Sequence, residues 1–296
     1  MLLTLALYAL VQAPQTTSAL ITAESSHDTP AIKQTLITLT DTLPTADHPT
    51  LAASIPPILR AAADPDPKIR SLAMLTLAAI AAPAATLLDP HIPAIAQHLN
   101  DPDPAVRQLT ATVLGALPHA LLPLLAALTA PHRPTDADLG ILLAILSRNI
   151  AEHPEAIPAI TGFLNQPRIT PTLLTRSLNA IANSANHSPT LDTALLPFLN
   201  PPHSPAIRTT LALTLPKLKI TQQDLDRTRA RLTRIAASST EPKTLRDAAK
   251  SILPCWHAPA QVYDRTNACP ALPIRYQMRP APAPIAAPRY QTPPLH

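Results

Sequence analysis

The side chains able to do chemistry are few, and their spacing points away from an active site. Two thiols, Cys255 and Cys269, lie 14 residues apart in a proline-rich stretch. In an oxidising compartment they have one intramolecular pairing, and closing such a loop contributes ~3 kcal/mol on the chain-entropy estimate. A metal site would need a fourth ligand beyond the two thiols and His257. The eleven histidines are scattered, several beside proline at turns (His48, His132, His153), with no H-E-x-x-H pair and no zinc-spaced cluster. Gly115, Gly140 and Gly162 each stand alone, which excludes a phosphate-cradling loop and the dinucleotide fingerprint. No G-x-S-x-G elbow occurs. Glutamate is present only at 24, 152, 155 and 241, so an acid–base pair would fall to loop aspartates already needed as helix caps. No catalytic residue, cofactor or metal is expected.

What does recur is a pairing of acid, proline and arginine. Asp101-Pro102-Asp103-Pro104-Ala105-Val106-Arg107 repeats Asp64-Pro65-Asp66-Pro67-Lys68-Ile69-Arg70 at an interval of 37 residues. Asp103 can cap a helix through its carboxylate. Pro104 fits the first helical position, where its missing N–H costs nothing. Asp101-Pro102 ends the preceding helix, because a residue before proline is pushed out of the α region.

These loops must be held by stacked helices. The first apolar residue of each unit gives the series Ile32, Ile69, Val106, Leu139, Leu173, Ile207 and Leu245, with steps of 37, 37, 33, 34, 34 and 38. Capped starts are expected at Thr29, Asp66, Asp103, Asp136, Thr170 and Ser204, with a displaced one at Glu241-Pro242. A second set of helices is marked by prolines near the beginning: Pro56-Pro57, Ile92-Pro93, Leu122-Pro123, Ile157-Pro158 and Leu196-Pro197. Helix A, a turn and helix B make a unit of about 35 residues, and neither helix can bury its apolar face alone. Hydrophobic residues make up 46% of the chain but aromatics 2%, so the core is built of Leu, Ile and Ala, which suits helices. Abundant Pro, Thr and Ala beside scarce Gly and Val is what a nucleotide skew in the gene would give, so proline position carries meaning here and proline abundance does not.

The pattern Asp-Pro-x-Val/Ile-Arg followed by Leu and small apolar residues resembles the HEAT-repeat family. The likeness is strong in Asp66–Ile80 and Asp103–Leu117 and fair in Ser204–Leu218 and Leu245–Leu253. Gly140 and Thr170–Leu174 depart from it, lacking the arginine. Over residues 30–253 the resemblance implies an all-α fold, an α-solenoid of six to seven helix pairs with helix B on the concave side. It implies binding rather than one activity; the alternatives on such a fold are an enzyme like the chromophore lyases or DNA glycosylases. It also implies a structural ladder in which Arg70, Arg107, Arg208 and Arg246, with Lys33 at the same place, pair with loop aspartates such as Asp66 and Asp103.

Along the expected outward face of helix B stand Ser71, Met74 and Ala78; Gln108, Ala111 and Gly115; Thr209 and Ala212. That face is small, nearly uncharged and lacks stacking aromatics, so a protein or peptide partner is expected in the groove and nucleic acid is not. Gln108, Ala111, Thr209 and Ala212 are the candidate contacts. Charge concentrates elsewhere: residues 217–250 carry nine basic and four acidic side chains. Arg227, Arg231 and Arg234 share one helix face there, open to an acidic partner or lipid surface, or simply solvated.

The ends differ from the array. Residues 1–13, MLLTLALYALVQA, are uncharged and too short to span a membrane. They fit the apolar region of an export signal cleaved after Ala13 or Ala19, or a helix capping the first repeat. The expected division is 1–19 for this segment, 20–253 for the solenoid and 254–296 for an irregular proline-rich tail. Export to the periplasm or the cell exterior is the expectation; without cleavage the chain is cytoplasmic with free thiols.

Overall fold

The computed structural model describes residues 2–130, 134–186, 188–218 and 220–256, with side chains from residue 14 onward except at 222, 255 and 256. In chain order its helices are α1 Leu2–Ser25, α2 Thr29–Thr42, α3 His48–Ala62, α4 Pro67–Leu88, α5 Ile92–Ala96, α6 Pro104–Ala116 and α7 Leu121–Leu128, followed by α8 Asp136–Leu146, α9 Ala156–Leu164, α10 Pro171–Asn183, α11 Pro189–Leu195, α12 Pro205–Thr214, α13 Gln222–Ala237 and α14 Lys243–Ile252. No strand occurs among the described residues.

The helices alternate between two rows and make seven A–B pairs. Even-numbered B helices pack on one another without interruption, from α2 on α4 to α12 on α14. The odd-numbered A row is looser, joined through α1–α3 and through α5, α7, α9 and α11. Each of the seven apolar positions that open the B helices, from Ile32 to Leu245, is buried. Together with Leu36, Leu77, Leu114, Leu142, Leu178 and Leu211 they form one core running through the array. The result is an all-α solenoid, in which each unit is stabilised mainly by its neighbours.

The caps follow the acid–proline logic, with five shifts. Asp66, Asp103, Thr170 and Ser204 accept from first-turn amides as expected. The cap of α2 is Asp28 rather than Thr29. At α8 it is Thr135, whose amide and hydroxyl both bond the Asp138 carboxylate, so Asp136 is already helical. Pro242 occupies the cap position of α14, and Glu241 pairs with an arginine instead. Two A-helix starts also move: Asp47 caps α3, placing Pro56-Pro57 mid-helix, and Ser188 caps α11, upstream of Pro197.

The stretch Pro67–Asn100 is long and apolar enough to cross a membrane by length and composition. It is bent at Ala84 (φ −148°, ψ 49°), just after Pro83. Ile69, Ala73, Met74, Leu77 and Ile80 from it are buried in the solenoid core. The first helix joins the same array. Thr17 hydrogen-bonds Ser54 at 2.7 Å, 37 residues on, just as Thr40 bonds Thr76 at 2.9 Å one row over. Leu20 and Ala23 are buried beside it.

Candidate functional site

Cations at the start of the B helices reach into the loops. Lys33 meets Asp66 at 2.6 Å, so α2 is tied to the cap of α4. Arg70 binds Asp101 side-on, Nε to Oδ2 at 2.8 Å and one terminal nitrogen to Oδ1 at 2.9 Å. Its other terminal nitrogen bonds the carbonyls of Asp64 and Pro65. Asp101 in turn accepts from the amide of Asp103 at 2.8 Å. Burial pushes the Asp101 carboxyl up, but hydrogen bonds from Arg70 and that amide outweigh it and leave the group below its ordinary 3.8. Arg208 grips both oxygens of Glu241 and donates from Nε to the Leu199 carbonyl.

The ladder thus differs in membership from the expected one. Asp103 only caps its own helix, through the amides of Ala105 and Val106. Arg107 turns back onto the carbonyls of Asp101 and Pro102, and Arg246 onto that of Ser238. Lys33 and Asp66 take the expected places, but sequence reasoning passed over Asp101 and Glu241 as partners; the signal was available at Asp101, since Asp64 holds the same place 37 residues earlier.

The middle seams use the other end of the helices. From the end of α8, Arg148 donates to the carbonyls of Leu114, Leu117 and Pro118. Ser184 and Asn186, just past α10, donate to the carbonyls of Leu146 and Ser147. Lys217 then reaches Asn183 at 2.5 Å. Helix C-termini leave orphan carbonyls, and Arg148, Ser184 and Asn186 satisfy these across the seam, while Lys217 ties to the side-chain oxygen of Asn183 instead.

The groove contacts need a correction. Ala111 and Ala212 are 1% and 0% exposed, and Met74 is also buried. Small residues recur on that line because adjacent B helices approach closely there: a Cβ on Gly115 would lie 3.0 Å from that of Ala144. Gln108 is exposed and Thr209 half-buried. One residue further on, about 100° around the helix, lies the surface that faces solvent. It carries Leu75 at 37% exposure and Thr112 at the same register, with Leu143 at 49% on α8. Arg176, paired with Asp136 at 2.6 Å, and Asn179 continue it on α10.

On α13, Arg227 and Arg234 are exposed while Arg231 is half-buried. Arg227 lies 3.8 Å from Asp224. The backbone of Cys255 belongs to a 3-10 turn after α14, but its side chain and all of Cys269 lie outside the described residues. Among the described residues no three His, Cys, Asp or Glu side chains gather as a metal site would require.

Residues 67–117, spanning α4 to α6, match the family model of the HEAT-like repeat. Among solved structures, the designed armadillo repeat protein YIII(Dq)4CqI is similar at 13% identity and a TM-score of 0.34, over 81% of this chain and 98% of that one. No curated protein matches the chain. A HEAT-like repeat at residues 67–117 is thus set in an uninterrupted row of stacked B helices.

Proposed function

We propose that the chain is a non-catalytic protein-interaction scaffold, and that a protein or extended peptide lies along the exposed ridge of the B helices. The observation that carries this reading is the placing of Leu75 and Leu143 on one line, with Thr112 between them and Gln108 and Asn179 beside them. Exposed aliphatic groups bordered by amides and hydroxyls suit the partly apolar, hydrogen-bonding character of protein interfaces. The ridge offers little to a phosphate backbone, since Arg176 is already paired with Asp136. Each glutamate holds a polar partner: Glu24 with Arg60, Glu152 with Asn149, Glu155 with His153 and Glu241 with Arg208.

A photo-crosslinking residue placed at Thr112 should give a discrete adduct in the native host. The same residue at Leu122, 70% exposed on the A row, should give none. Adducts from Leu122 with none from Thr112 would move the partner to the opposite face.

We propose export with cleavage after Ala13. Cleavage after Ala19 would remove Thr17 from its bond to Ser54. Intact mass of protein from its host should then show a chain beginning at Pro14, two hydrogens short because Cys255 and Cys269 are joined. A full-length chain with two alkylatable thiols would make it cytoplasmic.

A further inference from the structure

The Arg70–Asp101 rung of the ladder carries a group that the Lys33–Asp66 and Arg208–Glu241 rungs lack. A 3-10 turn, Gln97–Asn100, continues α5 into the loop, and His98 stands on it. The Asp101 amide donates to the His98 carbonyl at 3.2 Å. Ring and carboxylate therefore share one turn, with Nδ1 3.9 Å from Oδ2. That oxygen already accepts from Nε of Arg70 at 2.8 Å. The other accepts from Arg70 at 2.9 Å and from the Asp103 amide at 2.8 Å. The ring is 18% exposed and the carboxylate 6%. Three residues before Asp66 and Glu241, the acids of the other rungs, stand Ala63 and Ser238.

Asp101 and Arg70 are the charges that act on the ring. Helix α5, just before it, has no titratable side chain. The only one on α6, Arg107, is turned back onto the carbonyls of Asp101 and Pro102, and Asp103 caps that helix. A proton on His98 therefore sets a second cation against a carboxylate that Arg70 already holds, in a half-buried place where charge is costly. Burial does most to hold the ring below its ordinary 6.5; Asp101 pulls the other way, and Arg70 acts with burial.

We propose that His98 is a proton-sensitive latch on the α4–α6 seam: neutral, it packs beside the Arg70–Asp101 rung; protonated, it competes with Arg70 for Asp101 and loosens the two helices. A histidine held below its ordinary value favours the fold in its neutral form. The seam is thus whole above 6.5 and weakens as the pH falls from there through the folded value. Leu75 and Thr112 stand on these two helices, so the ridge would loosen with the seam, a consequence that rests on the ridge reading; the latch itself does not.

Hydrogen exchange of the full chain, corrected for intrinsic rates and read between about pH 7.5 and 5.5, tests the latch with no partner present, so the outcome is independent of the ridge. In the parent, protection of α4 and α6 should fall about threefold further than that of α10. His98→Gln, which cannot take up a proton, should remove the difference. His119→Gln should keep it: His119 meets Asp89 at 2.9 Å across the same two units but is 74% exposed, where such pairs contribute little. The His98 ring titration, followed by NMR in the parent, fixes the sign even where a variant does not fold, and its midpoint should lie below 6.5. A midpoint at or above that value would overturn the proposal. So would equal protection changes in α4, α6 and α10 of the parent, the same pH dependence in His98→Gln, or its loss in His119→Gln.

Discussion

Between α4 and α6 a buried guanidinium meets a carboxylate in the loop; between α6, α8 and α10, apart from the exposed Arg176–Asp136 pair, the ties are side chains laid on the last carbonyls of a neighbouring helix. Both devices join adjacent B helices, but they make different demands on sequence. A rung needs an acid at a fixed place in a loop and a cation near the start of the previous B helix. Such a requirement repeats with the unit and leaves a visible motif. A carbonyl lock needs only some donor near a helix end, and Arg148, Ser184 and Asn186 share neither type nor a repeating spacing. The seam after α6 lacks a rung because Arg107 is spent on its own loop and the α8 acid Asp138 closes its own capping box.

The comparison can be broken most sharply at Asp101. Asp101→Ala leaves Arg70, 13% exposed, without its carboxylate, and should cost about 3 kcal/mol in a denaturant titration. Acid should reproduce part of this loss in the parent. The folded-state value of Asp101 lies below 3.8, so its contribution is complete above that pH and disappears as pH falls through the folded value. Asp66, hydrogen-bonded by Lys33, and Glu241, hydrogen-bonded by Arg208, are lowered as well and act with the same sign. Burial holds His98, beside Asp101, below 6.5, so it begins to disfavour the folded state at higher pH than the carboxylates do. Melts of the Asp101→Ala protein should therefore vary less with pH below 4 than those of the parent.

The middle seam should give a smaller effect. Arg148→Gln removes donors to three carbonyls of a partly exposed helix end, where water can substitute, and should cost about 1.5 kcal/mol. A loss larger than that of Asp101→Ala would reverse the ranking of the two devices.

The same contrast explains what the sequence made legible. The seven apolar positions that open the B helices, the Asp66 and Asp103 caps and the row of stacked pairs all follow from short-range rules: proline geometry, capping and helical period. Partners across a seam do not. Asp101 rather than the cap Asp103 takes Arg70, whereas the equivalent cap Asp66 does take Lys33, a choice that spacing alone cannot rank. The ridge was displaced by one residue, from Ala111 to Thr112, because small side chains suit both a bare surface and a tight helix contact. Gly115 against Ala144 decides for the latter.

Hydrogen exchange read helix by helix tests the two-device account most directly, because repeats couple chiefly to their neighbours. In the Asp101→Ala protein, protection should fall in α4 and α6 and persist in α10 and α12; in Arg148→Gln it should fall in α6 and α8 and persist in α2 and α4. A uniform loss along the array in both variants would contradict it.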